Sequence, residues 1–227
     1  MRRLLDKLVD RMELFALKRG EVARIDGIGV ADVRWKGDQR DLFRQTISES
    51  MRLLREHNPR RYAIVKRYIK WIVNRVTNTM GGDYHYRTGI CNLELPHIPG
   101  LDQNVLAAWF ACMLVHEGTH GVIESRGIAN TEDNCSRIER LCVAEQNRFA
   151  AKLAEFDPER YPARLLHFEF DEKYWRWEWT ATPKQRRGAF LSLWLADMKA
   201  EPRAAPNGGH ATCSGNSSVT EGPPSVS

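Results

Sequence analysis

Asp102-Gln103-Asn104-Val105-Leu106-Ala107-Ala108-Trp109-Phe110-Ala111-Cys112-Met113-Leu114-Val115-His116-Glu117-Gly118-Thr119-His120-Gly121 is the stretch on which the reading of this chain turns. Pro99-Gly100-Leu101 reads as a turn, Asp102 as a helix N-cap and Gly127 as the residue that closes the C-terminus, which predicts one helix of roughly 24 residues. From Gln103 to Val115 it carries no ionisable side chain, and its apolar residues occur nearly all round, as in a helix buried on most faces. His116, Glu117 and His120 are therefore expected deep in a core element. Residues four apart share a helix face, so two imidazoles at this spacing can grip one metal ion with the intervening carboxylate beside it. A buried carboxylate costs several kcal/mol unless something compensates it, and a divalent cation with its water does so.

Two histidines do not complete such a site. A catalytic zinc takes three protein ligands and keeps a fourth position for water. The next segment, started by Asn130-Thr131-Glu132-Asp133, reads as an amphipathic helix, with Ile138, Leu141, Cys142, Glu145, Phe149 and Leu153 as its inward stripe. Glu139 borders that stripe, 19 residues after His120, and is the foremost candidate third ligand. Glu145, Cys135, His167 and His97 are the alternatives. The competing structural reading of Glu139 is a surface ion pair with Arg137 or Arg140, worth at most about 1 kcal/mol.

His116-Glu117-x-x-His120 followed by an acidic residue on the next helix resembles the gluzincin branch of the zincin metallopeptidases. The resemblance spans roughly 35 residues, and its specific part is the His-Glu-x-x-His run. It differs from the metzincin pattern, because Ile123 and Arg126 stand where Gly and His would be. It also departs from the gluzincin Asn-Glu-x-x-x-Asp, with Ile138 before Glu139 and Val143 in place of the Asp. The resemblance implies an α-rich α+β zincin-like domain with a small sheet beside the active-site helix. It further implies one Zn2+ held by His116, His120 and Glu139, with Glu117 as general base in the hydrolysis of a peptide or protein substrate. An extended substrate would then pair with the edge of the strand bordering the cleft. His85, Tyr86, Arg87, Tyr161 and His167 are candidate donors to the oxyanion.

Upstream of the long helix, Tyr84 to Leu95 contains β-favouring residues with partial alternation after Gly81-Gly82, which predicts a hairpin or short sheet. Helices are expected over 2–18, 39–56 and 59–77. Downstream, Phe168-Glu169-Phe170-Asp171-Glu172-Lys173-Tyr174-Trp175-Arg176-Trp177-Glu178-Trp179 alternates aromatic and charged residues, as in a strand or an interface, and a further helix is expected from Pro183. Residues 201–227 turn to Pro, Gly, Ser, Ala and Asn, a composition that cannot bury enough surface to order itself. The chain thus divides into a basic helical region (1–77), a metal-binding core (78–200) sharing one domain with it, and a disordered tail (201–227).

Composition supports one substantial core: 227 residues, 42% hydrophobic, with a net charge of +5. The charge is uneven. Residues 1–77 hold 19 Lys and Arg against 10 Asp and Glu, a net of +9, and the remainder 15 against 19, a net of −4. Arg60, Arg61, Lys66, Arg67, Lys70 and Arg75 accompany an apolar stripe of Ile64, Val65, Tyr68, Ile69, Ile72 and Val76. That pattern supports one rival to catalysis, an anionic partner, nucleic acid or membrane surface, for the basic helices; a second rival is a zincin-like scaffold that binds partners without turnover. Five scattered cysteines without a Cys-x-x-Cys pair speak against a disulfide framework. With no apolar run long enough to span a bilayer and charges throughout the first residues, a cytoplasmic location is the expectation.

Overall fold

Strands β1 (Glu21–Ile25) and β2 (Ile28–Asp32) meet at Asp26-Gly27, both at positive φ, 51° and 88°. Such a pair makes the turn whose twist suits an antiparallel hairpin, and Ile25 accordingly faces Ile28. The computed structural model describes residues 14–15, 17–18, 20–33, 38–75, 82–95, 102–173 and 175–176. Three further strands, β3 (Trp71–Asn74), β4 (Gly82–His85) and β5 (Ile90–Leu93), complete a sheet in the order β1-β2-β3-β5-β4. β2, β3 and β5 run parallel, while β1 and β4 are antiparallel edges. Helices α1 (Asp38–His57) and α2 (Pro59–Tyr68) lie between β2 and β3 in the chain; α3 (Gln103–Ser125), α4 (Cys135–Phe156) and a short α5 (Ala163–Leu166) follow β5. The α+β class expected from the sequence is observed.

The hairpin expected after Gly82 is present as β4 and β5. The helix expected over 59–77 stops at Tyr68, and this reading is corrected. Ile69 is extended (φ −88°, ψ 121°), and Trp71-Ile72-Val73-Asn74 is a buried central strand. Ile72 packs into the main core with Val30 and Cys91, whereas Trp71 and Val73 pack on the opposite face with Leu17, Ala31 and Ile90. A strand covered on both faces reads as a continuous apolar run, and Ile72 falls four residues after Tyr68, so it mimicked another helical turn. The β1–β2 hairpin lies where no strand was expected from the sequence, and its local signal is Asp26-Gly27 between Ile25 and Ile28. Val76 lies outside the described residues, as do most of the expected 2–18 helix, the segment from Pro183 and the tail.

α3 is the axis of the core. The Asp102 side chain accepts from the Asn104 and Val105 N–H groups at 2.6 and 3.3 Å, and Gly127 (φ 77°) follows its C-terminus. α1 is tied to it where the Ser50 hydroxyl donates to the Ala107 carbonyl at 2.8 Å and where Phe43 meets Phe110 edge-on at 6.1 Å. α2 approaches so closely that a Cβ on Gly121 would stand 2.6 Å from Cβ of Tyr68. α4 lies along α3 with Ile138, Glu139, Cys142, Val143, Gln146, Phe149, Ala150 and Leu153 buried. The inward stripe is thus rotated from the sequence reading: Leu141 is exposed and Glu145 only half-buried, while Glu139 moves from border to interior. Among the described residues no helix is long and apolar enough to cross a membrane.

Candidate metal centre

Because α3 is apolar on nearly every face, its only deep charges are those of the His-Glu-x-x-His run: His116 is 5% exposed and Glu117 3%. α4 brings Glu139, 8% exposed, against them. The Glu139 carboxylate reaches both rings, with Oε2 3.2 Å from Nε2 of His116 and Oε1 3.4 Å from Nε2 of His120. The two Nε2 atoms are 3.3 Å apart. Burial pushes the Glu139 carboxyl upward, but the hydrogen bonds and charges of His116 and His120 outweigh it and hold it at about 2.

The His116 ring is fixed on its other side. Its Nδ1 lies 3.1 Å from Oε1 of Gln146, two turns beyond Glu139 on α4, and the Gln146 amide nitrogen reaches the Met113 sulfur at 3.8 Å. The indole of Trp175 stacks on the same imidazole, centroids 6.3 Å apart and planes at 24°. Trp175 arrives on a segment fastened to α4. Asn147 accepts from the Phe168 N–H at 2.9 Å and donates to its carbonyl at 2.8 Å; farther on, Arg140 pairs with Glu172 at 3.1 Å and lies over the Phe170 ring.

Glu117, next to His116 on α3, approaches edge strand β4. A Cβ on Gly82 of β4 would stand 3.2 Å from Oε1 of Glu117 and 2.9 Å from the Asn92 carbonyl, so this strand passes the carboxylate only because residue 82 has no side chain. On β4 itself, His85 pairs with Asp83 at 3.1 Å. Burial works against the Asp83 carboxylate, but hydrogen bonds from His85 and Asn92 keep it below the usual range.

A fourth donor stands here that sequence reasoning did not nominate. One ring nitrogen of His116, one of His120 and the Cys142 sulfur lie within 4.8 Å of one another. Burial, then the charges of Glu139 and Glu117, push the Cys142 thiol well above its ordinary range. The available signal was its place one turn after Glu139. Cys112, one turn before His116, is raised to about 12 by burial alone and behaves as a core residue.

The other candidates stand elsewhere. Glu145 pairs with Arg61 and Arg148. Cys135 donates its thiol to the Glu132 carbonyl at 3.3 Å, and His167 is an exposed C-cap of α5. His97 falls outside the described residues. Among the oxyanion candidates, Tyr86 and Arg87 are exposed in the β4–β5 turn and Tyr161 is 1% exposed in the core. The basic surface of α2 is partly engaged: Arg61 faces Glu145, and the Lys70 ammonium caps the Arg67 carbonyl at 2.7 Å. No family model, curated protein or solved structure matches the chain.

Proposed function

We propose that the protein is a zinc-dependent hydrolase of the zincin metallopeptidase type, cleaving a peptide or protein substrate. The observation that carries this reading is the spacing of the three donor groups. A tetrahedral ion bound at about 2.0 Å spaces its ligand atoms about 3.3 Å apart; the two Nε2 atoms are 3.3 Å apart, one Glu139 oxygen lies 3.2 Å from that of His116 and the other oxygen 3.4 Å from that of His120. Two imidazoles and one carboxylate are the ligand types of a hydrolytic zinc site.

Bound zinc supplies Lewis acidity and lowers the pKa of a water towards about 7. The chain does the rest. Glu117, beside the ligands on the same helix, takes the proton of the attacking water and delivers it to the departing amine. The Glu139 carboxylate, within 3.4 Å of both rings, keeps the three donors converged. Edge strand β4 offers its outer backbone groups to an extended peptide, and Gly82 lets that backbone run beside Glu117. Burial on α3 excludes bulk water, which strengthens these electrostatic interactions.

The test is zinc content and cleavage measured together. Purified protein is expected to carry one zinc per chain, lost in His116→Ala. Glu117→Gln should keep the zinc while abolishing cleavage of a mixed peptide library. Protein that stays metal-free in zinc-replete buffer sinks the proposal; zinc retained with no cleavage by the wild type leaves a metal-binding protein without turnover.

A further inference from the structure

The donor set beside α3 contains one more ligand type than the hydrolase reading uses. Cys142 is fully buried, and its sulfur belongs to the same cluster as the ring nitrogens of His116 and His120. It lies three residues after Glu139 on α4, so the two side chains project from one helix face towards α3. The other described cysteines do not share this position: Cys135 is bonded to the Glu132 carbonyl, and Cys91 and Cys112 fall outside that donor cluster.

We infer that Cys142 is a fourth protein donor to the metal held by His116, His120 and Glu139, occupying the position that the hydrolytic water needs and so keeping the resting centre closed. This rests on the metal-centre reading above and adds its regulation. Four protein ligands make a closed zinc site, whereas three leave it open to water. Binding breaks the S–H bond, forms the metal–sulfur bond and releases the proton to solvent; nothing is oxidised or reduced. A thiolate also narrows the choice of ion towards zinc, cobalt and cadmium and away from magnesium and calcium. Turnover then requires the sulfur to withdraw so that water enters next to Glu117.

Cobalt(II) reads this directly, because a thiolate ligand gives an intense sulfur-to-cobalt charge-transfer band in the near ultraviolet, separate from the visible bands of a tetrahedral ion. Full-length protein loaded with cobalt should show both. Cys142→Ser should keep stoichiometric cobalt and the visible bands, lose the charge-transfer band, bind cobalt at least about tenfold more weakly, and in its zinc form cleave peptides faster than the wild type. Cys91→Ser should retain the band. Tetrahedral visible bands without charge transfer in the wild type overturn the role of Cys142 and leave the metal centre standing. Failure to bind cobalt or zinc at all removes the centre itself, and this inference with it. The wild-type spectrum decides the matter even if the serine variant does not fold.

Discussion

The imidazole Nδ1 of His116 and the side-chain oxygen of Gln146 are 3.1 Å apart. With the Gln146 amide nitrogen turned to the Met113 sulfur, its oxygen accepts from Nδ1 of His116, which holds the ring with Nε2 towards Glu139 and His120. Outer partners of this kind fix tautomer and ring orientation, and their loss typically weakens metal binding about 10–100-fold. Gln146→Leu is therefore expected to lower zinc affinity by roughly that factor in competition with a chromophoric chelator. Gln146→Glu, which keeps an acceptor at the same place, should restore most of it.

Acid stability of the metal-free protein should carry the signature of Glu139. Its folded value of about 2 lies below the ordinary value of 4.5 because hydrogen bonds from His116 and His120 outweigh the opposing effect of burial. The native state therefore holds the proton less avidly than the unfolded chain. The stabilisation is complete above the ordinary carboxylate range and is lost as pH falls from about 4.5 towards about 2. Urea unfolding across this interval should show a drop on the order of a few kcal/mol, markedly smaller in Glu139→Gln. An identical pH slope in the two proteins would show that the carboxylate is not held by the imidazoles.

What the sequence disclosed and what it hid follow from the range of the interactions. α3 was legible because its cap, its uncharged run and its closing glycine are all local. The β4–β5 hairpin was legible for the same reason. β3 was not, because its strand identity comes from β2 and β5 on either side, and its apolar residues fit a helical period equally well. On α4 the period was visible but not its phase: Leu141 and Glu145 were assigned inward, and only packing against α3 shows that Gln146 and Val143 take those places. Position 143 carries Val, and Gln146, one turn farther on, holds His116. No local pattern distinguishes that glutamine, or the thiol of Cys142, from ordinary helix residues.

The stack of Trp175 on His116 makes the downstream segment a wall of the candidate metal centre. If the indole shields the ligands, removing it should speed extraction of zinc by an excess of chelator while leaving the equilibrium affinity within a few-fold of wild type. Trp175→Ala tests the shield itself. Asn147→Ala tests its fastening, since the paired hydrogen bonds to Phe168 are lost. Extraction rates unchanged in both variants would mean that the segment does not limit access.

Gly82 gives a way to perturb Glu117, the proposed general base, without changing a proposed ligand. A methyl group there meets Oε1 of Glu117 at 3.2 Å, but it also meets the Asn92 carbonyl and the Leu93 side chain at 2.9 Å, so β4 must shift outward or Glu117 must turn. Crowding of this kind typically costs about 1–3 kcal/mol of stability. Gly82→Ala should lower the thermal midpoint accordingly and reduce kcat at least about tenfold, since small misplacements of a catalytic group are costly. Zinc content should stay at one per chain, because no ligand is touched. A variant with undiminished kcat would show that β4 yields while Glu117 keeps its place, and one that loses zinc would show that β4 supports the ligands as well.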